Sequence, residues 1–116
     1  MSSVLVDPKF RACLDACAEC QQSCESCNYG CCEGSAEMVE CGRMCLDCAA
    51  LCALCVVLLS RGSSLALRIC EICVEFCEAC AAECAKYDTE SCQRCAEACR
   101  RCAAECRSLI STMAGV

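Results

Sequence analysis

The stretch CEICVEFCEACAAEC, residues 70–84, contains five cysteines at alternating steps of three and four residues. The same steps recur in CQRCAEACRRCAAEC, residues 92–106. Residues three and four apart lie on one face of an α-helix, so each stretch carries a stripe of thiols along one side. This is the spacing of the buried a and d positions of a helical bundle. The pattern therefore predicts a core in which cysteine takes the place usually given to leucine.

Cysteine makes up 22 of the 116 residues, and the remaining residues offer little else for a core, with two Phe, two Tyr and no Trp. The rhythm extends through the whole chain. The cysteines stand at Cys13, Cys17, Cys20, Cys24, Cys27, Cys31 and Cys32; Cys41, Cys45, Cys48, Cys52 and Cys55; Cys70, Cys73, Cys77, Cys80 and Cys84; and Cys92, Cys95, Cys99, Cys102 and Cys106.

Turn signals divide the chain into four predicted helices, over about residues 8–32, 36–60, 65–86 and 89–112. Asp7-Pro8 begins the first helix. Gly34-Ser35 separates the first helix from the second, Gly62-Ser63 separates the second from the third, and Asp88 is the predicted N-cap of the fourth. Loops of a few residues force neighbouring helices to be antiparallel. We therefore expect an all-α fold, an antiparallel up-down-up-down four-helix bundle with a cysteine-lined core, as a single domain over residues 1–116.

Antiparallel packing predicts that cysteines of the four helices meet in levels along the bundle. The expected levels are Cys31 with Cys41, Cys84 and Cys92; Cys27 with Cys45, Cys80 and Cys95; Cys24 with Cys48, Cys77 and Cys99; Cys20 with Cys52, Cys73 and Cys102; and Cys17 with Cys55, Cys70 and Cys106. Cys13 extends the last level, and Cys32 stands beside the first.

A core of thiols is most simply interpreted as a container for a soft metal ion. Cu(I) that displaces one thiol proton leaves the charge unchanged, whereas Zn²⁺ in four thiolates leaves a net charge of −2, and burying uncompensated charge is costly. Since bridging two-coordinate sites hold one ion per cysteine, we expect Cu(I) storage on the order of 20 ions per chain. The sequence has no histidine, which zinc sites often use.

Beyond the last cysteines, the two ends of the predicted bundle differ. One end has Phe10, Leu59, Ala66 and Leu109 and is aliphatic. The other has Gly34, Met38, Tyr87 and Asp88, with Cys32 and Met44 nearby. We expect copper to pass through this second end, with the Met38 and Met44 thioethers as weak ligands. The alternative is that both methionines only fill space, their usual role.

The charge and composition exclude several other classes. The net charge is −6 with no basic stripe, which argues against nucleic-acid binding. Without histidine the commonest general base is missing, and we predict that the chain is not an enzyme. The apolar run Ala49–Leu59 is too short to span a bilayer. The first residues, MSSVLVDP, do not form a signal peptide, so a cytoplasmic location with reduced thiols is expected.

Two rival interpretations compete with copper storage. A metallothionein-like zinc or cadmium buffer would also use many cysteines, but the charge balance and the regular helical spacing favour Cu(I). A disulfide-stapled bundle needs far fewer than 22 cysteines and an oxidising compartment.

The repeated C-x2-C-x3-C steps over Cys70–Cys84 and Cys92–Cys106 resemble those of the bacterial copper storage proteins, from about Cys13 to Cys106. The resemblance implies a four-helix bundle that stores many Cu(I) ions on inward cysteines, and a homotetramer. Members of that family often carry histidines near one bundle end, including the connection between the third and fourth helices. Here that connection, residues 85–91, has none.

The second predicted helix is apolar nearly all round between Leu46 and Leu59. Its residues away from the cysteine stripe include Leu46, Leu54 and Val57. A helix that is apolar on both faces is usually buried on both, so self-association is expected independently of the resemblance. Gly42, on the same helix, is a position where a neighbouring helix could approach closely; the alternative is that glycine there has no structural effect.

Overall fold

A computed structural model describes residues 6–114. Its four α-helices are α1, Arg11–Cys27; α2, Val39–Arg61; α3, Ala66–Cys84; and α4, Glu90–Ala114. They pack in the order α1–α2–α3–α4 with α4 returning to α1, in an elongated body of 48 × 30 × 20 Å. No strand occurs within the described residues. The predicted antiparallel four-helix bundle is confirmed.

Several local signals for the helix ends act as expected. The Asp7 carboxylate accepts a hydrogen bond from the Lys9 backbone N–H at 3.1 Å, at the 3₁₀ turn Pro8–Phe10 that precedes α1. Gly62 ends α2 with φ at 66°, and the Ser63 N–H closes the motif on the Leu58 carbonyl oxygen at 2.9 Å. A positive φ of this kind is the left-handed region that favours glycine.

The predicted N-cap of the last helix was wrong by one residue. Thr89, not Asp88, caps α4, since its Oγ1 accepts a hydrogen bond from the Cys92 N–H at 3.1 Å. The bond runs from the cap to the third helical residue, as in a capping box. α4 then continues to Ala114, and α3 ends at Cys84, two residues earlier than expected.

The largest departure from a regular helix is at the end of α1. Residues Asn28–Cys32 form a π-helical turn, in which the Glu33 N–H reaches back five residues to the Asn28 carbonyl oxygen at 2.7 Å. This turn lies against α2 at Gly42. A Cβ on Gly42 would stand 2.7 Å from Asn28 Oδ1 and 3.2 Å from Cys32 Cβ. Glycine at this position therefore lets the two helices approach, as the sequence suggested.

The core consists of cysteine and closes differently at its two ends. At the end away from the π-helical turn, Leu59, Ala66 and Leu109 are buried, and Phe10 packs against them. We call these four residues the plug. The opposite end, which we call the mouth, is formed by residues 28–38 and 87–92. The column of sulfur between them replaces the aliphatic interior of an ordinary bundle.

One described helical stretch, Ala36–Arg61, is long and apolar enough to cross a membrane by length and composition alone. Cysteine contributes much of that hydropathy, and the Cys41, Cys45, Cys48, Cys52 and Cys55 side chains all point into the bundle core. Core helices of soluble proteins meet the same criterion, so this stretch adds no argument for a membrane span.

Candidate metal centre

All 22 cysteines lie within the described residues as free thiols, and all but Cys31 are buried. Their sulfur atoms form a continuous column, with neighbouring Sγ atoms from different helices 3.5–4.0 Å apart. Cys41 and Cys84 are 3.5 Å apart at one end, and Cys13 and Cys106 are 3.6 Å apart at the other. Two metal–sulfur bonds of about 2.3 Å span up to about 4.6 Å, so a thiophilic ion fits between such neighbours. We call this arrangement the thiol column.

Within the thiol column, sulfur atoms gather in groups of four that lie within 4.8 Å of one another. Five of these groups are Cys17, Cys73, Cys102, Cys106; Cys20, Cys52, Cys77, Cys102; Cys20, Cys24, Cys48, Cys99; Cys24, Cys45, Cys80, Cys95; and Cys27, Cys32, Cys41, Cys45. Successive groups share Cys102, Cys20, Cys24 and Cys45. The groups are thus not separate tetrahedral sites. Because neighbouring groups share a cysteine, the arrangement suits an ion such as Cu(I), for which one thiolate can bridge two ions.

The expected levels hold for α2, α3 and α4, whereas α1 is staggered by about half a level, since Cys24 groups with Cys48 and Cys99 as expected but also with the next level. Cys45 lies 3.9 Å from Cys80 and 3.8 Å from Cys95, and Cys52 lies 3.8 Å from Cys73, as predicted. Cys24, however, joins the group of Cys45, Cys80 and Cys95, where Cys27 was expected.

The physical reason for this shift is that α1 cysteines lie between the levels of the other helices. Cys24 is 3.6 Å from Cys95 and 3.8 Å from Cys99. Staggered side chains interdigitate, as in close-packed interiors generally. Consequently Cys27 and Cys32 join Cys41 and Cys45 in a group near the mouth.

The π-helical turn determines how two consecutive cysteines are placed at the mouth. In an α-helix adjacent residues point about 100° apart, so only one of them can face the core. Here the wider turn brings Cys32 beneath Cys27, with their sulfurs 3.8 Å apart, and leaves Cys32 buried. Cys31 points to the rim instead. Its sulfur lies 3.6 Å from that of Cys92 on α4 and 3.1 Å from Thr89 Oγ1.

The two methionines and Tyr87 occupy different surroundings near the mouth. Met38 is buried among the core residues, whereas Met44 is half-buried and lines a groove between α2 and α3 with Phe76. The Tyr87 hydroxyl lies 3.1 Å from Glu83 Oε2 and 3.2 Å from the Glu37 carbonyl oxygen, both of which accept. Glu83 also pairs with Lys86 at 2.8 Å. These contacts fasten the α2–α3 side of the mouth.

Burial favours protonated sulfur for three thiols near the mouth in the absence of metal. Burial raises the pKa of Cys41 to about 12, and burial also raises the pKa values of Cys32 and Cys92 above their usual range. Among the described residues the only buried charged side chain is Glu83, at the mouth. No buried cation is therefore present to balance a column of thiolates, and whatever ion replaces the protons must itself carry the compensating charge.

Sequence reasoning identified every cysteine of the column but missed two polar residues beside it. Thr89 was hidden behind Asp88, the stronger cap by residue type, and the residue three positions after Thr89 is Cys92 rather than the Glu or Gln of a capping box. Nothing in the sequence indicates that Glu83 is buried. Its burial depends on a tertiary contact with Tyr87, whose hydroxyl lies 3.1 Å from Glu83 Oε2.

Comparison with known proteins agrees with this geometry. The family model described as copper storage protein matches residues 6–111. The Cu(I)-bound copper storage protein BsCsp3 is 39% identical with a TM-score of 0.84, covering 88% of this chain and 98% of that one. The apo form of the Bacillus subtilis protein is 40% identical with a TM-score of 0.82, covering 87% and 98%.

A third solved structure, of a cytosolic copper storage protein from Streptomyces lividans with five coppers, is 31% identical with a TM-score of 0.84. The match covers 90% of this chain and 93% of that one. Curated protein sequences give no match. The match of the family model over nearly the whole described chain, together with the buried thiol column, shows that the chain belongs to the copper storage protein family.

Proposed function

We propose that this chain stores copper as Cu(I), on the order of 20 ions per chain, on the thiolates of its 22 cysteines. The observation that carries the proposal is the continuous thiol column, in which successive groups of four share a sulfur. Each Cu(I) replaces one thiol proton, so the core stays neutral as it fills. The Cu(I)-bound and copper-loaded relatives support the same conclusion.

An anaerobic titration of the fully reduced protein with Cu(I), against a competing chelator, tests this proposal. We expect tight binding that ends near about 20 equivalents, since bridging sites hold one ion per thiol. A parallel titration with Zn²⁺ is the matched comparison. Saturation near about five Zn²⁺, in preference to Cu(I), would favour a metallothionein-like buffer and overturn the storage proposal.

The chain is proposed to act by binding alone, as a single domain over residues 1–116, in the cytoplasm. The thiol column is closed to water along its length, and burial keeps thiols such as Cys41 protonated, which makes them poor nucleophiles. The Streptomyces lividans relative is described as cytosolic. Fractionation of cells that produce the protein, with copper measured in each fraction, tests the location.

Self-association is proposed through the outer face of α2, as the homotetramer that the family resemblance implies. Leu46, Leu54 and Val57 are 47%, 41% and 39% exposed, and Phe76 of α3, 40% exposed, lines a surface groove with Leu54. An apolar patch of this kind favours burial against another subunit. Light scattering of the protein and of Leu54→Glu should show a tetramer and a smaller species, respectively. Equal masses would remove α2 from the interface.

The two methionines are proposed to assist copper on its way through the mouth. Met38 lies among the core residues at this end, while the groove position of Met44 suits packing against Phe76. Met38→Leu and Met44→Leu, made separately and together, keep the apolar volume and remove the thioether. We expect slower Cu(I) uptake with unchanged capacity, mainly from Met38→Leu. An unchanged rate of Cu(I) uptake in the double variant would show that both methionines serve only to fill space in the packing.

A further inference from the structure

We propose that Cys31 is the transfer thiol, the sulfur that takes Cu(I) from a donor in solution and passes it to the thiol column. This inference rests on the storage function proposed above. Of the 22 cysteines, all within the described residues, Cys31 alone is not buried. Exchange between thiolates requires one sulfur to approach the metal held by another ligand, so access decides which thiol reacts first.

Within residues 6–114, no other cysteine sulfur reaches the surface to give a donor a comparable route. The far end is closed by the plug, where Leu59 is fully buried and Leu109 is 6% exposed. On the α2–α3 side of the mouth, Tyr87 packs against the core and is held by Glu83 and the Glu37 carbonyl oxygen. The α1–α4 side, where Cys31 lies, is the side of the mouth at which a sulfur reaches the surface.

A path of short sulfur–sulfur distances leads inward from Cys31. Its Sγ lies 3.6 Å from Cys92 Sγ, which lies 3.6 Å from Cys27 Sγ. Cys27 in turn belongs to the group that contains Cys32, Cys41 and Cys45. Each of these separations can be bridged by one thiophilic ion, so copper can move by forming a bond to the next sulfur before the previous bond breaks. Cys31 thus stands at the outer end of an unbroken series.

Thr89 positions this first sulfur. Its Oγ1 accepts the Cys92 N–H at 3.1 Å, which leaves the hydroxyl hydrogen free to point at Cys31 Sγ, 3.1 Å away. The same hydroxyl therefore caps α4 and holds the Cys31 side chain beside Cys92. The π-helical turn contributes the other half of the arrangement, since it turns Cys31 to the rim while Cys32 remains inside.

The transfer step is a ligand exchange without oxidation or reduction. A Cu–S bond to Cys31 forms as the bond from copper to one ligand of the donor breaks, and the Cys31 thiol proton goes to the released ligand. Copper remains Cu(I) throughout. The same exchange then repeats from Cys31 to Cys92, with the Cys92 proton returning to Cys31, so the transfer thiol is ready for the next ion.

The test compares Cys31→Ser with Cys13→Ser. Both lose one thiol at the end of the column, but Cys13 is buried at the plug end, 3.6 Å from Cys106. Uptake is followed anaerobically by stopped flow from a coloured Cu(I) chelate, and capacity is measured in the same samples. We expect both variants to lose about one copper, and only Cys31→Ser to take up copper at least about tenfold more slowly. Equal initial rates in the two variants would overturn the inference.

A second measurement uses the unmodified apo protein, so that it does not depend on how a variant folds. Brief treatment with iodoacetamide followed by peptide mass mapping should find the first modification at Cys31. Modification that begins at another cysteine, or without preference, contradicts the inference. Failure of storage itself would look different, as a capacity far below about 20 ions in the unmodified protein, whereas failure of this inference leaves that capacity intact.

Discussion

At the scale of single residues, the molecule depends on the chemistry of a buried thiol. Cysteine behaves as a small hydrophobe when protonated, so the empty bundle can bury all but one of its thiols without burying charge. Burial raises the pKa of Cys41 to about 12, because a thiolate there would be taken out of water without a cation beside it. Thiols whose pKa is raised by burial, such as Cys41, are thus neutral at physiological pH, and ionising them is unfavourable in the folded state.

The first prediction is that the apo protein loses stability as the pH rises. An unfolded cysteine ionises near about pH 8.5, whereas folded Cys41 holds its proton to about 12. Between these values the unfolded state binds fewer protons, so the free energy of unfolding falls with pH, by up to about 1.4 kcal/mol per pH unit for such a group. Anaerobic urea unfolding at about pH 7 and about pH 9.5 checks this.

The copper-loaded protein serves as the control for the pH experiment. Its thiolates carry metal instead of protons, so its stability should not fall over the same range. Apo stability that stays constant to about pH 9.5 would show that the buried thiols keep ordinary pKa values in the folded state.

At the scale of elements, the mouth depends on how the π-helical turn meets α2. The extra residue in the turn places two consecutive cysteines in different environments, one inside and one at the rim. Such turns are rare in proteins and appear frequently at functional sites. Here the turn fits only because Gly42 leaves room for Asn28 and Cys32.

We predict that Gly42→Ala destabilises the apo protein by about 1–3 kcal/mol, the usual range for overpacking. The added Cβ would stand 2.7 Å from Asn28 Oδ1, so the Asn28 side chain must rotate away, and 3.2 Å from Cys32 Cβ, so the turn must also yield by a few tenths of an ångström. Gly30→Ala is the matched control, since a Cβ there meets nothing within 4 Å. It should be neutral or slightly stabilising. Urea unfolding of both variants measures the difference, and equal stabilities would mean that the turn adjusts freely.

At the scale of the whole molecule, filling the thiol column couples copper binding to folding. A ligand that binds only the folded state stabilises it, by about 2.7 kcal/mol for a single site at a hundredfold excess over the dissociation constant. A Cu(I) ion held by both Cys52 of α2 and Cys73 of α3, whose sulfurs lie 3.8 Å apart, would also join two helices. The empty bundle should be helical but less stable than the filled one.

We therefore expect the melting temperature to rise by at least about 10 °C on loading, with little change in helix content. Circular dichroism of apo and copper-loaded samples, heated anaerobically, measures both quantities. A melting temperature that is equal in the two forms would show that copper binds outside the folded core. A large gain in helix on loading would contradict the apo structure described above.

The charges of the molecule are unevenly divided between its two ends. The half of the bundle that leads to the mouth, residues 25–47 and 75–97, has eleven acidic and three basic residues, a formal charge of −8. The remaining residues have five acidic and seven basic side chains, a formal charge of +2. An anionic copper donor is therefore repelled at the mouth, and a cationic one is attracted.

Uptake from an anionic Cu(I) chelate should accordingly accelerate by about two- to fivefold as ionic strength rises from about 0.01 to 0.15 M, since screening shortens the Debye length from about 30 to 8 Å. Glu33→Gln with Glu37→Gln should weaken this dependence. Glu71→Gln with Glu105→Gln removes the same charge from the plug half and should change it less. Identical salt dependence in the two double variants would place the uptake route elsewhere.

The sequence by itself determined the helices and their buried faces. Cysteine at three- and four-residue steps has one physical outcome, a helix with a thiol stripe, and short connections such as Gly62-Ser63 leave antiparallel packing as the only arrangement. The identity of the candidate ligands followed, because the stripe faces the core at every cysteine except Cys31, which lies at the rim. The chemistry of sulfur then favoured a monovalent soft ion before any contact was known.

Only the tertiary structure decided how the stripes meet. The stagger of α1, which puts Cys24 beside both Cys95 and Cys99 of α4, depends on interdigitation across helices and leaves no trace in local spacing. The π-helical turn also depends on tertiary packing, because the missing side chain at Gly42 of α2 leaves room for it. The partial exposure of Cys31 likewise arises from packing, where the π-helical turn meets Thr89 at the start of α4. Local periodicity fixes which residues point inward, but packing between helices fixes which of them meet.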